Sequence, residues 1–163
     1  MKIPSRFVQV DPTAIDALEA DCLVLGSGVA GLRSAIAAAE KGLRVIVAAK
    51  GTPSDTATDR AQGGVAAALS AGDSVEGHLA DSLRVGLGLC DREAIRTLTA
   101  EGPRAVLELQ EWGAHFDLKD GVLDGALEGG HSFPRVVHAI GDSTGREIER
   151  TLLITEEVLR HLV

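Results

Sequence analysis

The sequence DCLVLGSGVAGLRSAIAAAEKGLRVIVAAK, residues 21–50, decides the fold class of this chain. It opens with an apolar run of the length of a buried strand and then turns through the pattern G-x-G-x-x-G at Gly26, Gly28 and Gly31. An alanine-rich segment typical of a helix follows, and a second apolar run, residues 45–48, completes the unit. Strand, glycine turn, helix and strand in this order predict a dinucleotide-binding βαβ unit.

Each glycine of this turn has its own physical task. Gly26 allows the tight turn, Gly28 removes a Cβ that would block a pyrophosphate, and Gly31 lets the helix pack closely on the strand. Backbone N–H groups and the positive end of the helix dipole then face the phosphates. Because 19 of the 163 residues are glycine, the pattern alone is weak. Its strand–turn–helix context favours a phosphate site over a merely structural turn.

The end of the second strand bears on which dinucleotide is bound. Typical members of the fold place Asp or Glu about 20 residues after the turn, where the carboxylate accepts hydrogen bonds from ribose hydroxyls. Here the strand ends in Ala48, Ala49 and Lys50. A lysine can donate to ribose or phosphate but cannot supply that acceptor. The missing acceptor therefore argues against a generic NAD dehydrogenase, while the choice between NAD and FAD stays open at this point.

Composition and charge exclude several classes of protein. Hydrophobic residues are 45% and charged residues 25%, which is ordinary for a soluble globular chain. A net charge of −8 and a pI near 5.0 argue against nucleic acid or an anionic membrane surface as the main partner. No apolar stretch approaches the ~18 residues of a membrane span, so a cytoplasmic location is the default expectation. Cys22 and Cys90 form neither a metal-ligand spacing nor a disulfide framework, and no metal is expected.

The rest of the chain gives weaker signals. Residues 1–20 are interpreted as a lead-in, with a short strand at residues 6–10 and a helical turn after Pro12. Apolar residues at helical spacing predict packing helices over residues 74–112. An Asp-Gly pair between short apolar runs near residue 120 predicts a β-hairpin.

The helical segment yields four more specific expectations. Asp91 is the predicted N-cap of one helix, and Pro103 is predicted to start another. His78 is expected on the protein surface, and Trp112 at a helix end in the core. A final helix is predicted from Arg146 to Val163, capped by the segment of residues 142–145.

Two polar segments are candidates for chemistry. The first contains Ala61, Gln62, Gly63 and Gly64, where adjacent glycines allow close approach to a flat ring, although a solvated crossover loop fits equally. The second runs from Glu128 to His138 and holds two histidines and an arginine.

In this second segment Arg135 could pair with a substrate carboxylate in a bidentate manner, and Glu128 could lie near a cationic amine. A polar surface loop explains the same residues equally well. The residues alone do not decide between the two interpretations.

Taken together, these residues resemble the flavoprotein family that contains L-aspartate oxidase and the flavoprotein subunits of fumarate reductase and succinate dehydrogenase. The resemblance is carried by VLGSGVAGL at 24–32, KG at 50–51, ATDRAQGGVAA at 57–67, GLCDREAI at 88–95, EGGHS at 128–132 and HAIGDSTGREI at 138–148. These motifs follow the order and spacing of the family from Asp21 onward. The Lys-Gly pair, AQGG and the Cys-Asp-Arg run are similar to the L-aspartate oxidase branch in particular.

The resemblance implies an α/β fold, a Rossmann-like FAD-binding domain of the glutathione-reductase type that is incomplete. Residues 21–163 would be its N-terminal part, with an inserted helical segment and a short β-hairpin. In the dehydrogenase and reductase relatives a histidine just before the loop threonine holds the flavin covalently. Ala57 occupies that place here, so FAD is expected to be non-covalent. The implied cofactor-binding residues are Ser27, Gly28, Val29 and Ala30 at the pyrophosphate, Lys50 near the adenosine ribose, and Ala57, Thr58, Asp59, Arg60, Ala61, Gln62, Gly63 and Gly64 around the flavin.

The reaction implied by the resemblance is oxidation of L-aspartate to iminoaspartate, by hydride transfer from Cα to flavin, with reoxidation by oxygen or fumarate. It is the first step toward quinolinate and NAD, and coupling to quinolinate synthase and a homo-oligomeric state are further expectations. Glu128 matches the acidic residue that orients the amino dicarboxylate. His131 and Arg135 are candidates for substrate contact.

Two alternatives remain. A fumarate reductase type flavoprotein would run toward succinate, and Ala57 and the Lys-Gly pair weigh against it. A non-catalytic nucleotide-binding module would keep the βαβ unit without the chemistry.

The chain also departs from the family pattern. Family members are much longer, and the histidines and arginines that grip the substrate carboxylates lie beyond residue 163. A parallel strand that completes the sheet beside the Val24 strand is also expected there. The resemblance therefore predicts an N-terminal fragment or one half of a split protein, inactive toward aspartate alone, whose first strand exposes an edge.

Overall fold

The computed structural model describes residues 18–155, which contain four helices and seven short strands. In chain order these are β1 (Cys22–Leu25), α1 (Val29–Ala39), β2 (Val45–Ala48), β3 (Val65–Ala66), α2 (Val75–Val85), α3 (Arg92–Glu111), β4 (Leu118–Lys119), β5 (Val122–Leu123), β6 (Gly125–Ala126), β7 (Val136–Val137) and α4 (Thr144–Ile154). The strand predicted at residues 6–10, the helical turn after Pro12 and residues 156–163 of the predicted final helix lie outside the described residues. Helix α4 ends at Ile154, before the extended Thr155, although the prediction continued it further.

The predicted βαβ unit is confirmed. Strands β1 and β2 pair in parallel, with Cys22 opposite Val45 and Leu25 opposite Ala48. The turn between β1 and α1 begins at Gly26, whose φ of 106° lies in the region that favours glycine. The unit therefore has the geometry that the glycine pattern indicated.

One face of this small sheet is covered and the other is open. Helix α1 packs on the covered face, where Ala35, Val45 and Val47 form a buried cluster. On the opposite face the side chains of Leu23 and Leu25 are 60% and 78% exposed. Among residues 18–155, β1 pairs only with β2, which agrees with the predicted open edge.

A second sheet was not predicted from the sequence. Its antiparallel strands lie in the order β3, β7, β6, and each is two residues long. Strands of this length carry no readable alternation of apolar and polar residues. Val137 of β7 and Ala67, the residue after β3, are nevertheless buried in a core that also holds Val106 and Phe116. The sheet therefore joins the loop after β2 to the segment that carries Glu128.

The helical segment differs from the prediction at one point. Asp91 caps α3 as predicted, accepting hydrogen bonds from the N–H groups of Glu93 and Ala94. The prediction of a separate helix starting at Pro103 is wrong, because Pro103 lies inside the single helix α3. Thr99 and Val106, on either side of Pro103, are both buried. Packing on both sides outweighs the helix-breaking tendency of one proline.

The predicted hairpin is confirmed in β4 and β5. Asp120 and Gly121 connect the strands with φ of 53° and 82°, as a type I′ turn requires. Helix α4 begins at Thr144, inside the predicted capping segment and two residues before the predicted helix, and its Leu152 packs against Leu32 and Ile36 of α1. Trp112, the C-cap residue of α3, is half-buried against the same cluster, as expected for a helix end in the core.

Candidate functional site

The first turn of α1 holds no carboxylate that would compensate the positive end of the helix dipole. Helix α1 has no acidic residue in its first turn, and no side chain caps it at Gly28. A Cβ on Gly31 would overlap the carbonyl oxygen of Gly26 and stand 3.3 Å from a methyl carbon of Val24. The helix therefore lies close against the strand, with its N-terminus open to an anion.

Thr58 joins the loop of residues 57–64 to this turn. Its Oγ1 accepts a hydrogen bond of 3.0 Å from the N–H of Val29, at the first position of α1. A Cβ on Gly28 would stand 3.2 Å from the same oxygen. Ser27 is buried, and its hydroxyl donates to the carbonyl of Pro53 at 2.7 Å. Two regions that the sequence placed separately thus form one surface.

A cavity of about 360 Å³ lies where α1, this loop and α4 meet. It is lined by Val29, Ala57, Thr58, Ala61, Gly63, Gly64, Val65, Thr144, Gly145 and Ile148. The first six of these residues were predicted to contact the cofactor. Val65 and the three residues of α4 were not.

Gly145 is a site residue that sequence reasoning missed. Its N–H donates to the carbonyl of Ala61 at 3.0 Å, and a Cβ there would overlap the carbonyl oxygen of Thr58. Only a glycine lets the first turn of α4 support the loop this closely. A glycine in the first turn of a predicted helix, where its propensity is poor, is the sequence signal that could have indicated it.

The remaining predicted cofactor residues lie outside this cavity. Asp59, Arg60 and Gln62 line a neighbouring cavity together with Arg146, and Asp59 lies 3.7 Å from the Arg146 guanidinium. Lys50 is exposed two residues after the end of β2. The loop therefore presents its small residues to one cavity and its polar residues to another.

Beneath the loop lies an acid that the sequence analysis did not identify. The Glu149 side chain of α4 is 1% exposed, and neither carboxylate oxygen has a hydrogen-bond partner among the described residues. Burial raises the pKa of Glu149 to about 6, the nearby Thr56 hydroxyl opposes that rise without forming a well-aligned hydrogen bond, and the negative charge of Asp59 adds to it. A buried ionised carboxylate without a partner is costly, so Glu149 keeps its proton to a higher pH than an exposed glutamate does.

Glu128 is connected to the loop through a histidine. Its Oε1 lies 3.0 Å from Nε2 of His138, and the two side chains are 48% and 22% exposed. The same His138 nitrogen would stand 2.8 Å from a Cβ on Gly64. The carboxylate predicted to orient a substrate therefore lies one imidazole away from the glycine pair predicted to face the flavin.

Arg135 does not occupy the position expected of a substrate ligand. Its side chain is fully buried, and it donates to Asp73 at 2.8 and 2.7 Å and to Asp81 at 2.8 Å. The hydrogen bonds that the guanidinium donates to Asp73 raise the pKa of Arg135. The prediction of a substrate contact is wrong in this structure, because a buried charge needs partners and two aspartates already supply them.

The two histidines near Arg135 pack against each other. His78, predicted to lie on the surface, is 4% exposed, so that prediction is wrong. Its polar-looking helix face is covered by the segment around His131, whose ring centroid lies 5.6 Å away. Burial, followed by the charge of Arg135, lowers the pKa of His78. His131 is half-buried and lines a separate cavity of about 260 Å³.

Known proteins share both sequence motifs and fold with this chain. The FAD binding domain family matches residues 21–158, which is most of the chain. In structure, the chain is similar to Mycobacterium smegmatis Sdh1 in complex with UQ1, with a TM-score of 0.77 and 42% identity over 82% of this chain and 23% of that one. It is similar to E. coli quinol fumarate reductase with a TM-score of 0.81 and 30% identity, over 88% and 25% of the two chains. The fold and the glycine turn define a flavoprotein, and the chain belongs to the FAD binding domain family.

Curated relatives in this family are L-aspartate oxidases. That of Streptomyces coelicolor is 51% identical over 138 residues, which are 84% of this chain and 24% of the relative. The chloroplastic L-aspartate oxidase of Arabidopsis thaliana is 52% identical over 134 residues, 82% of this chain and 20% of the relative. The chain thus spans about a quarter or less of the length of these relatives.

FAD is the cofactor of this family and of this chain. The small residues lining the first cavity and the open N-terminus of α1 fit a flavin dinucleotide, which needs close backbone approach and a site for its phosphates. No helix in residues 18–155 is long and apolar enough to cross a membrane.

Proposed function

We propose that this chain forms the FAD-binding part of an L-aspartate oxidase, which oxidises L-aspartate to iminoaspartate. The observation that carries the proposal is the contact from Glu128 through His138 to Gly64. An acid suited to a substrate ammonium group, close to a loop suited to the flavin, supports this function. Identity of 51% to the Streptomyces coelicolor enzyme supports the same function.

We propose that the cofactor phosphates bind at the N-terminus of α1. The backbone groups of Ser27, Gly28, Val29 and Ala30 would hold them, because the helix dipole there has no carboxylate of its own to neutralise it. Lys50, exposed after β2, would contact the adenosine ribose. Since Val29 N–H is already bonded to Thr58, a phosphate at this group would share or replace that bond.

The loop of residues 57–64 would surround the flavin, which supplies the acceptor for the hydride removed from the substrate. Ala57 lines the cavity with a methyl group that cannot form a covalent bond to the ring, so we propose non-covalent FAD. Gly63 and Gly64 would allow the ring to approach the backbone. Gly145 holds the loop from below through its bond to Ala61.

Glu128 would orient the substrate by accepting hydrogen bonds from its ammonium group. Half of its side chain is exposed, so it can reach a ligand while His138 holds it in place. Arg135 is committed to Asp73 and Asp81, so we propose that other groups grip the two substrate carboxylates. His131 remains a proposed contact. Because the groups that grip the substrate carboxylates are expected outside residues 1–163, we expect no turnover of aspartate by this chain alone.

Absorbance spectroscopy of the purified chain tests the cofactor part of the proposal. We expect flavin bands in near-stoichiometric amount after incubation with FAD, and release of all flavin on acid precipitation because the bond is non-covalent. A colourless protein would contradict the proposed site. Flavin that stays with the precipitate would contradict non-covalent binding.

The activity is tested in the complete enzyme that contains this chain. We expect L-aspartate to reduce the flavin and oxygen or fumarate to reoxidise it. Glu128→Gln should raise KM for L-aspartate about tenfold, because a charged hydrogen bond to the ammonium group is lost. Aspartate oxidation by the 163-residue chain alone would overturn the expectation of inactivity.

A second candidate is a fumarate reductase type flavoprotein, which the TM-score of 0.81 to E. coli quinol fumarate reductase favours. Succinate formation from fumarate with an artificial donor, without aspartate oxidation, would support it. A non-catalytic nucleotide-binding module would bind FAD and catalyse neither reaction. Measuring both reactions separates the three functions.

Several expectations about the whole protein stay predictions. These are coupling to quinolinate synthase, a homo-oligomeric state, a cytoplasmic location and a domain boundary at residue 20. The plant relatives carry the description chloroplastic, so fractionation of the source cells is the direct test of location.

A further inference from the structure

Helix α2 holds the loop of residues 128–132 through one aspartate. Asp81 is 6% exposed, and its Oδ2 accepts hydrogen bonds of 2.7 Å from both the N–H and the hydroxyl of Ser132. The same oxygen accepts a bond of 2.8 Å from Arg135. Three donors on one buried oxygen fix the C-terminal end of the loop relative to α2.

Arg84 holds the middle of the same loop. Its Nη2 donates at 2.9 Å to Oδ1 of Asp81 and at 2.9 Å to the carbonyl of Gly130. Gly130 has a φ of 88°, and a Cβ there would stand 2.9 Å from a methyl carbon of Val85. Asp81, Arg84 and Val85 thus form a continuous docking surface for the loop on the last turns of α2.

Buried charge fixes the position of this surface. Arg135 is fully buried and paired with Asp73, just before α2, as well as with Asp81. Breaking any of these pairs would leave an uncompensated charge away from water. Helix α2 and the loop therefore cannot shift relative to each other at low cost.

The other end of the loop carries Glu128. Its carbonyl accepts a bond of 3.1 Å from the N–H of His131, and its carboxylate pairs with His138 beside Gly64. The loop is therefore bound to α2 at residues 130 and 132 and contacts the predicted flavin loop through Glu128. A displacement at Gly130 would move the Glu128 carboxylate away from that position.

We propose that Asp81 and Arg84 are positioning residues for the recognition of the substrate ammonium group, acting through the loop that carries Glu128. The inference rests on the proposed function. Neither residue lines the cavity at the glycine turn. Their effect should be larger for substrates whose ammonium group contacts Glu128 than for fumarate, which has no such group.

Steady-state kinetics of the complete FAD-loaded enzyme test the proposal. Arg84→Ala should raise KM for L-aspartate about fivefold, as expected for the loss of one loop-fixing hydrogen bond, with kcat within about twofold. KM for fumarate should change by less than about twofold. Arg84→Lys keeps a cationic donor and should recover part of the loss. Arg96→Ala, which removes an exposed arginine of α3 paired with Glu93 at 3.7 Å, is the control and should leave all values unchanged.

A merely structural role would give a different pattern. Equal losses for aspartate and fumarate, together with a lower FAD content or unfolding temperature, would overturn the proposal. The proposal would also be overturned if Arg84→Ala and Arg96→Ala gave the same kinetic values.

Amide hydrogen exchange in the 163-residue chain separates failure of this inference from failure of the proposed function. Arg84→Ala and Asp81→Asn should speed exchange at Ser132 and His131, whereas Arg96→Ala should not. If the wild-type enzyme oxidises no aspartate, the proposed function fails, and faster exchange still supports the attachment of the loop to α2. Unchanged exchange in both variants overturns that attachment regardless of activity.

Discussion

Gly31 packs directly against Gly26, so closely that a Cβ on Gly31 would overlap the Gly26 carbonyl oxygen. The two residues are the third and first glycines of the turn that ends β1 and starts α1. Their contact sets the distance between strand and helix and hence the position of the open helix N-terminus. The phosphate site therefore depends on a packing contact between two residues of the protein, in which the ligand takes no part.

Gly31→Ala should destabilise the chain by about 2 kcal/mol, because a methyl group forced into a packed contact displaces the backbone. Urea unfolding and FAD titration measure the two effects, and both stability and affinity should fall. Gly51→Ala is the matched control, since a Cβ at Gly51 meets no heavy atom within 4 Å and needs no unusual φ. Equal unfolding midpoints for the two variants would contradict this role of Gly31.

Thr58→Val should cost about 1 kcal/mol in the FAD-free chain, because Val29 N–H loses its acceptor at the start of α1. If a phosphate takes over this N–H, the cost should shrink at saturating FAD. Thermal unfolding with and without FAD measures the difference. Thr97→Val, which removes a hydroxyl bonded only within α3, serves as the control. A cost that is the same in both states would argue against phosphate at Val29.

Glu149→Gln should stabilise the chain above pH 6. The folded-state pKa of about 6 exceeds the ordinary value of 4.5, so the folded protein holds its proton more tightly. The resulting penalty is absent below pH 4.5, grows as pH rises to 6 and is complete above it. One pKa unit corresponds to about 1.4 kcal/mol, and screening by water reduces this, so we expect a gain of about 1 kcal/mol at pH 8.

Glu147→Gln provides the opposite control in the same helix. Hydrogen bonds from Arg150 and then from His115 hold the pKa of Glu147 at about 2, below its ordinary 4.5. Its stabilising contribution is therefore present above pH 4.5 and lost as pH falls toward 2. Urea unfolding between pH 4 and pH 8 should give opposite signs for the two variants. The same sign for both would refute the assignment of Glu149 as an unpartnered acid.

Arg135→Met should destabilise the chain by about 3 kcal/mol, because Asp73 and Asp81 would keep buried negative charge without a partner. Arg104→Met, at an exposed position of α3, should change stability little. Urea unfolding measures both. A variant that keeps its stability and loses only affinity for aspartate would show that Arg135 contacts substrate after all.

Local sequence determined the elements whose signals lie within a few residues. The glycine spacing after an apolar run specified the βαβ unit, and the Asp-Gly pair at residues 120–121 specified the hairpin, because each requires particular backbone angles at particular positions. Asp91 specified the start of α3 through its own hydrogen bonds to nearby N–H groups. The family resemblance extended this to the cofactor.

Only the tertiary structure decided what the polar residues between these elements do. Arg135 and Glu128 lie seven positions apart in the sequence, and both looked suited to a substrate contact. Arg135, however, is buried and paired with two aspartates, whereas Glu128 is half exposed beside His138. Gly145 supports a loop more than 80 positions earlier in the chain, and Glu149 is buried beneath the same loop. The free energy of a charge depends on which distant groups surround it and how much water remains. That environment comes from chain segments far apart in sequence, so no local pattern could show it.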